Sequence, residues 1–156
     1  RGESVRNALA RVPDEADLVA VHDAVRPCVS SEWIDAVFAA AEQSAAAMLA
    51  CPLHGTLKRV GDDSVITGTV PRAGLWEAQT PQVFARELLV RAYEGDIRNV
   101  TDDAQLIEAL GQPVRVVRTD ARNVKITTPA DIAFAEAVID TLVPPDTGPS
   151  FADTQR

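Results

Sequence analysis

The sequence predicts an α/β domain in which helices cover a mainly parallel β-sheet. Short apolar runs typical of buried strands alternate along the chain with segments of helical periodicity. The length of 156 residues suits one domain with a core of its own. An apolar fraction of 46% is ordinary for a globular protein, which argues against wholesale disorder.

The chain opens with a predicted helix rather than a strand. Val5, Ala8 and Leu9 have helical spacing, and Ser4 is predicted to cap the helix. Residues 17–22 form a short apolar run that predicts a buried strand, and residues 23–27 form the loop at its C-terminal end. Because no strand precedes the first helix, we expect the sequence to lack the first strand of its domain.

The segment after the loop predicts a helix, followed by residues that could be either helix or strand. Ser31 is a good N-cap for a helix with apolar periodicity over residues 33–42. Residues 43–53 are ambiguous, because their alanines favour helix whereas residues 48–52 could form a buried strand.

The spacing of apolar residues changes from a helical to a strand-like period near residue 56, and this predicts a β-hairpin. Residues 56–60 and 65–70 are strand-like, and the polar residues 61–64 between them form a turn. Residues 76–84 are predicted as a loop or short strand, because Pro81 interrupts them.

The last part of the chain again alternates helix and strand. The predicted elements are helices over residues 85–94, 102–110 and 128–142, a strand over 114–117 and a short extended piece over 123–126. Thr101 is the predicted cap of the second of these helices. Residues 143–156 contain three prolines and no periodicity, and we expect a flexible tail there.

Composition excludes several functional classes. A net charge of −8 argues against a general nucleic-acid binder, which needs clustered basic residues. No apolar run approaches the roughly 20 residues of a spanning helix, and no secretory signal is visible. Cys28 and Cys51 cannot form a four-ligand zinc site, so we interpret them as reduced thiols of a cytoplasmic protein.

Asp23 is the first candidate functional residue, because it follows a buried strand at the edge where open α/β sheets bind ligands. A carboxylate there commonly serves a divalent metal or a ribose hydroxyl. Arg26 could hold the loop or a phosphate. An Asx-type turn with a structural arginine pair explains the same residues equally well.

Lys125 is the second candidate. Thirteen of the fifteen basic residues are arginine, so Lys58 and Lys125 stand out, and a compact phosphate contact can favour an ammonium group. Lys125 lies between Val124 and Ile126, so strand alternation turns it either into a polar cleft or to solvent. Further candidates are Arg72, residues 79–82, residues 101–103 and the whole segment 123–127, although residues 101–103 are foremost a helix start.

Five blocks of this sequence resemble the 2-C-methyl-D-erythritol 4-phosphate cytidylyltransferase family. They occur in the family's order from Ser4 to about Leu142. The blocks are VHDAVRP at 21–27, TLKRV at 56–60, TVPRAGLWEAQTPQVF at 69–84, TDDA at 101–104 and NVKIT at 123–127. The first and third blocks are long and specific.

The resemblance implies a Rossmann-like nucleotidyltransferase fold with a protruding β-hairpin arm. It implies that CTP and 2-C-methyl-D-erythritol 4-phosphate, with Mg²⁺, give the CDP-linked alcohol and pyrophosphate. The nucleophile would be the substrate's own phosphate oxygen, so no protein nucleophile is needed. The protein must then gather phosphates and neutralise the charge that develops at the α-phosphorus.

The resemblance also assigns roles to residues. Arg72 and Lys125 are similar to the pair that positions the sugar phosphate, and Asp23 to the residue near the metal and the substrate hydroxyls. The implied binding residues are Thr56, Thr80 and Thr101 for the sugar phosphate and Ser4 and Ala24 for the nucleotide. Thr56 and Arg72 lie on or beside the hairpin, which by the resemblance is the arm that would reach the partner's site in a homodimer.

The family's N-terminal strand, glycine-rich loop and following lysine have no counterpart in this sequence. We therefore expect residues 1–142 to form a partial nucleotidyltransferase domain, with residues 56–70 as the arm and residues 143–156 as the tail. Two alternatives stay open. The chain could belong to a cytidylyltransferase for another polyol phosphate, such as ribitol 5-phosphate, or be a non-catalytic dimerising fragment.

Overall fold

A computed structural model describes residues 1–142 of the chain. The α/β class is confirmed, and the predicted tail at 143–156 lies outside the described residues. In chain order the elements are α1 (Gly2–Leu9), β1 (Leu18–Val21), α2 (Ser31–Ser44), β2 (Ala46–Pro52), β3 (Leu57–Val60), β4 (Ile66–Val70), β5 (Trp76–Ala85), α3 (Arg86–Ala92), α4 (Asp103–Ala109), β6 (Arg115–Arg118) and α5 (Pro129–Ile139). No helix within residues 1–142 is both long and apolar enough to cross a bilayer.

The main sheet has the strand order β1-β5-β2-β6. Strand β5 is antiparallel to both β1 and β2, whereas β2 and β6 are parallel. Strands β1, β2 and β6 therefore run in one direction, and their C-terminal ends meet at one edge of the sheet. The loops that carry Asp23 and Lys125 follow β1 and β6 at this edge.

Strand β5 differs most from the sequence prediction, because residues 76–84 form a long central strand instead of a loop or short strand. Its pairing explains why Pro81 is tolerated. The register with β2 shifts between Met48 and Ala50, opposite residues 79–81, and the pairing with β1 starts only at Gln82. The missing N–H of Pro81 therefore falls where neither ladder pairs regularly.

Two apolar clusters lie on opposite faces of the sheet, and they decide the ambiguous residues 43–53 in favour of strand β2. Ala46 and Met48 join the cluster beneath α1, α3 and α4, while Ala47 and Leu49 join the cluster beneath α2. This alternation has the period of a strand buried on both faces. The side chains of β2 therefore contribute to both halves of the core.

The predicted helix caps are each placed incorrectly. Helix α1 begins at Gly2, so Ser4 lies inside it. The cap of α2 is Ser30, not Ser31, because the extended backbone of Ser30 lets its Oγ accept from Trp33 N at 3.3 Å. The cap of α4 is Asp102, not Thr101, and its carboxylate accepts from Gln105 N at 3.0 Å.

The predicted hairpin is confirmed as a separate two-stranded sheet of β3 and β4. Gly61 N donates to Val65 O at 2.9 Å and so closes the turn. Three apolar side chains at the outer end, Val60, Val65 and Ile66, are each more than half exposed. The hairpin leaves the main sheet through residues 53–56 and returns through residues 71–75.

Candidate functional site

The Asp23 loop is fixed to β5 by the hydroxyl group of Thr80. Thr80 Oγ1 accepts from Asp23 N at 3.0 Å and lies 3.0 Å from His22 Nδ1. The other ring nitrogen of His22 is 3.0 Å from Arg26 O. Asp23 and Thr80, both predicted from the sequence as site residues, are therefore neighbours.

Arg26 is a buried cation beneath the same loop, with 5% of its surface exposed. Its guanidinium donates to Asp23 Oδ2 at 3.4 Å, to Asn123 O at 2.6 Å and to Ala78 O at 3.5 Å. The planar fork of arginine suits such divergent acceptors. Arg26 thus joins three segments of the site, and the Asp23–Arg26 pair of the structural alternative does form.

Lys125 lies against Asp23 at the edge of the sheet, and its side chain remains partly exposed. Lys125 Nζ is 3.0 Å from Asp23 Oδ2, and the lysine side chain is 43% exposed while that of Asp23 is 16% exposed. Burial is the largest influence on the pKa of Asp23 and opposes ionisation. The hydrogen bond and charge of Lys125, with the charges of Arg1 and Arg26, outweigh it, and the pKa is lowered from its ordinary value near 3.8.

A buried amide network supports the site from below, and the sequence analysis did not predict it. Asn123 Nδ2 donates to Gln79 Oε1 and to Thr80 O, each at 3.0 Å. Thr119 Oγ1 donates to the same Gln79 oxygen at 2.7 Å, and Gln79 Nε2 donates to Asp120 O at 3.2 Å. Gln79 and Asn123 belong to the candidate segments 79–82 and 123–127, but the sequence assigned no role to either side chain.

Thr101 lies apart from these residues, in the loop before α4. It is exposed and lines an open groove of about 360 Å³ together with Trp76 and Met48. Gln82 in β5 tethers this region, because its Nε2 donates to Asp102 Oδ2 at 3.0 Å and its Oε1 accepts from Ala104 N at 2.9 Å.

The two residues predicted for the nucleotide are near the Asp23 loop in different ways. Ala24 is the exposed neighbour of Asp23 in that loop. Ser4 lines a cavity of about 320 Å³ between α1 and β1, and His22 lines the same cavity.

The arm residues are apart from this cluster. Arg72 is exposed in the connection from β4 to β5, where its guanidinium donates to His54 O, and Thr56 is exposed just before β3. Neither makes a hydrogen bond or ion pair with Asp23, Thr80 or Lys125 within residues 1–142.

The described residues contain no group of three or more His, Cys, Asp or Glu side chains that could hold a metal ion. Cys28 and Cys51 are both buried free thiols, as predicted, and burial raises the pKa of each. Asp23 lies between two cations, Lys125 and Arg26, and a second carboxylate, Glu77, lies 4.0 Å from the Arg26 guanidinium.

Comparison with known proteins decides the family. The model of the IspD family, 2-C-methyl-D-erythritol 4-phosphate cytidylyltransferase, matches residues 1–141. The chain belongs to the IspD family. It is 46% identical over 143 residues to the IspD cytidylyltransferase of Dechloromonas aromatica, covering 89% of this chain and 62% of that protein. It is also 46% identical over 137 residues to the bifunctional enzyme IspD/IspF of Desulfotalea psychrophila, covering 87% of this chain and 35% of that protein.

Solved structures of IspD proteins confirm the fold. The cytidylyltransferase of Thermus thermophilus superposes with a TM-score of 0.82 at 37% identity, over 89% of this chain and 69% of that one. A 4-diphosphocytidyl-2C-methyl-D-erythritol synthase gives 0.81 at 39% identity, over 89% of this chain and 66% of that one. The Rossmann-like nucleotidyltransferase fold is therefore confirmed, and the chain spans about three fifths of the length of the IspD cytidylyltransferase from Dechloromonas.

Proposed function

We propose that this chain carries the acceptor-phosphate half of a cytidylyltransferase. The reaction would join CTP and 2-C-methyl-D-erythritol 4-phosphate into 4-diphosphocytidyl-2-C-methyl-D-erythritol and pyrophosphate, for isoprenoid synthesis. The observation that carries the proposal is the Lys125–Asp23 contact of 3.0 Å, beside Thr80 at the ligand-binding edge of the sheet. Relatives named for this activity are more than 40% identical to the chain.

The chemistry needs charge and position rather than a protein nucleophile. A phosphate oxygen of the acceptor attacks the α-phosphorus of CTP, a new P–O bond forms, and the bond to pyrophosphate breaks. An ammonium group has three donors, so Lys125 can contact Asp23 and still donate to the acceptor phosphate. Its partly exposed side chain suits this role, because Asp23 holds the ammonium group while part of the lysine stays accessible to a ligand.

The remaining roles follow the family resemblance. Thr80 and Thr101 would contact the sugar phosphate, while Ser4 and Ala24 would contact the nucleotide. Thr56 and Arg72 would act in the site of a partner subunit, with the β3–β4 hairpin as the arm of a homodimer. The distance of the arm residues from the Asp23 cluster within one chain is consistent with this arrangement.

Mg²⁺ belongs to the proposal, and the donor set of Asp23 fits it. Asp23 Oδ2 already faces Lys125 and Arg26, whereas Oδ1 accepts no hydrogen bond from the described residues. Mg²⁺ is commonly held by one or two carboxylates together with substrate phosphates and water. Asp23 would hold the ion, and the ion would supply neutralisation of phosphate charge.

A cytoplasmic location is consistent with the two free cysteines.

The test is pyrophosphate release from CTP by the protein as encoded, with 2-C-methyl-D-erythritol 4-phosphate and ribitol 5-phosphate as separate acceptors. Lys125→Ala is expected to lower turnover by about 10²-fold or more, the loss typical of one charge-stabilising group. Arg98→Ala is the matched control, because Arg98 pairs only with Asp96 on an exposed surface. Near-normal turnover of Lys125→Ala, or faster turnover with ribitol 5-phosphate, would contradict the proposal.

A further inference from the structure

Lys125 lies in a segment without regular backbone pairing. Residues 119–128 contain neither helix nor strand, so no ladder of backbone hydrogen bonds fixes their position. Among the described residues, three backbone bonds join this segment to the rest of the domain: Thr119 N to Ala50 O at 2.9 Å, Ile126 N to Val25 O at 2.8 Å and Asp131 N to Thr128 O at 3.1 Å. Between Thr119 and Ile126 side-chain contacts hold the segment, so the position of Lys125 depends on them as well as on the Ile126 bond.

Asn123 is a side-chain anchor two residues before Lys125, and it is completely buried. Its amide donates to Gln79 Oε1 and Thr80 O, and its backbone carbonyl accepts from Arg26 Nη1 at 2.6 Å. Thr80 and Arg26 are the two residues that hold Asp23. Asn123 therefore contacts both supports of the carboxylate against which Lys125 lies.

Only the NH₂ group of the Asn123 side chain makes hydrogen bonds with the described residues. Both acceptors of its NH₂ group are fixed, because Gln79 Oε1 also accepts from Thr119 and Thr80 O is a backbone carbonyl. The opposite amide orientation would turn oxygen toward oxygen. Asn123 Oδ1 is buried and has no hydrogen-bond partner among the described residues. A buried polar atom without a partner costs stability, so packing alone does not favour asparagine here.

We infer that Asn123 is a positioning residue that sets Lys125 against Asp23. Through its two donors it fixes the Lys125 segment to β5 at the point where Thr80 fixes the Asp23 loop. The inference rests on the proposed role of Lys125 and adds a cause for its placement. A displacement of about 1 Å in a charge-stabilising group can cost 10²-fold in rate, so the anchor should be visible in turnover.

A double-mutant cycle with Lys125 tests the inference. Asn123→Ala should lower kcat by about 10²-fold with little change in KM for CTP. In the Lys125→Ala background the same substitution should lower kcat by less than about threefold, because its effect passes through Lys125. A merely structural role would give similar losses in both backgrounds, and that additive result would overturn the inference. If Lys125→Ala itself keeps its turnover, the proposed function fails instead.

Two further variants keep the test informative if Asn123→Ala folds poorly. Asn123→Asp keeps the shape but cannot donate, so it should lose turnover, whereas Asn123→Ser keeps one donor and should retain an intermediate rate. Asn7→Ala, on the exposed face of α1, is the matched control.

Hydrogen exchange gives a second measurement that does not depend on turnover. The Ile126 amide should exchange faster in the Asn123 variants while the amides of β2 stay protected. Wild-type turnover of Asn123→Asp, or unchanged exchange at Ile126, would contradict the inference.

Discussion

The Thr80 hydroxyl joins Asp23 N to His22 Nδ1, so a single oxygen determines how the Asp23 loop leaves β1. Thr80→Val keeps the shape and removes this oxygen. We expect it to destabilise the fold by about 1–3 kcal/mol, because the part-buried Asp23 N–H loses its acceptor, and to lower turnover. Urea unfolding and the pyrophosphate assay measure the two effects. Thr80→Ser retains the hydroxyl and is the control, and a Val variant as stable as the Ser variant would contradict this role.

At the residue scale, the sequence could nominate Asp23, Thr80, Lys125 and the supporting Arg26, but not the long-range partners that hold them. Asp23 follows a recognisable strand, and the block 69–84 contains Thr80. The acceptor of Arg26 is Asn123 O, 97 positions away, and Asn123 meets Gln79 across 44 positions. No local pattern encodes such partners, since amides and guanidinium groups look solvent-exposed in sequence. The contact between Lys125 and Asp23 likewise cannot be predicted without knowing the order of the strands in the sheet.

At the scale of elements, errors arose where tertiary pairing overrode a local signal. Pro81 argued against a strand, but it falls at a register shift of β5 and costs no ladder bond there. The alanines near residue 46 favoured helix by propensity, yet burial on both sheet faces selects the strand. The hairpin at 56–70 was predictable because its turn and alternation are local.

The start of α5 provides a pH-dependent prediction. Asp131 Oδ2 accepts from Thr127 N at 2.9 Å and Thr128 N at 2.7 Å, and these bonds lower the pKa of Asp131 from 3.8 to about 2. A depressed pKa means that the carboxylate stabilises the fold above pH 3.8 and loses this effect as the pH falls through 2. Asp131→Ala should therefore have a lower Tm than wild type at pH 7, and the difference should shrink between pH 3.8 and 2. Asp131→Asn keeps an acceptor oxygen and should therefore lower the Tm at pH 7 by less than Asp131→Ala. A Tm difference between Asp131→Ala and wild type that does not change with pH would contradict this account.

At the scale of the whole molecule, one sheet edge collects Asp23, Thr80 and Lys125, whereas two other predicted site residues lie with the hairpin. Three strands end at that edge, which brings Asp23, Thr80 and Lys125 together. Arg72 and Thr56 lie with the hairpin, whose outer apolar side chains are exposed. The proposed homodimer would account for both the exposed apolar side chains and the separation of Arg72 and Thr56 from Asp23. In a two-fold dimer each subunit's hairpin would contact the other subunit in the same way.

Mixed dimers distinguish a shared site from one completed within a single chain. Arg72→Ala and Lys125→Ala homodimers should each be nearly inactive under the proposed function. In a dimer with one subunit of each kind, exchange of arms would pair the intact Lys125 of one subunit with the intact Arg72 of the other. One of the two sites would then be complete, so we expect about half of the wild-type turnover per mixed dimer. The measurement is pyrophosphate release by mixed dimers purified through two different affinity tags. If Arg72 acted within its own chain, every site would lack one cation, and verified mixed dimers would stay inactive.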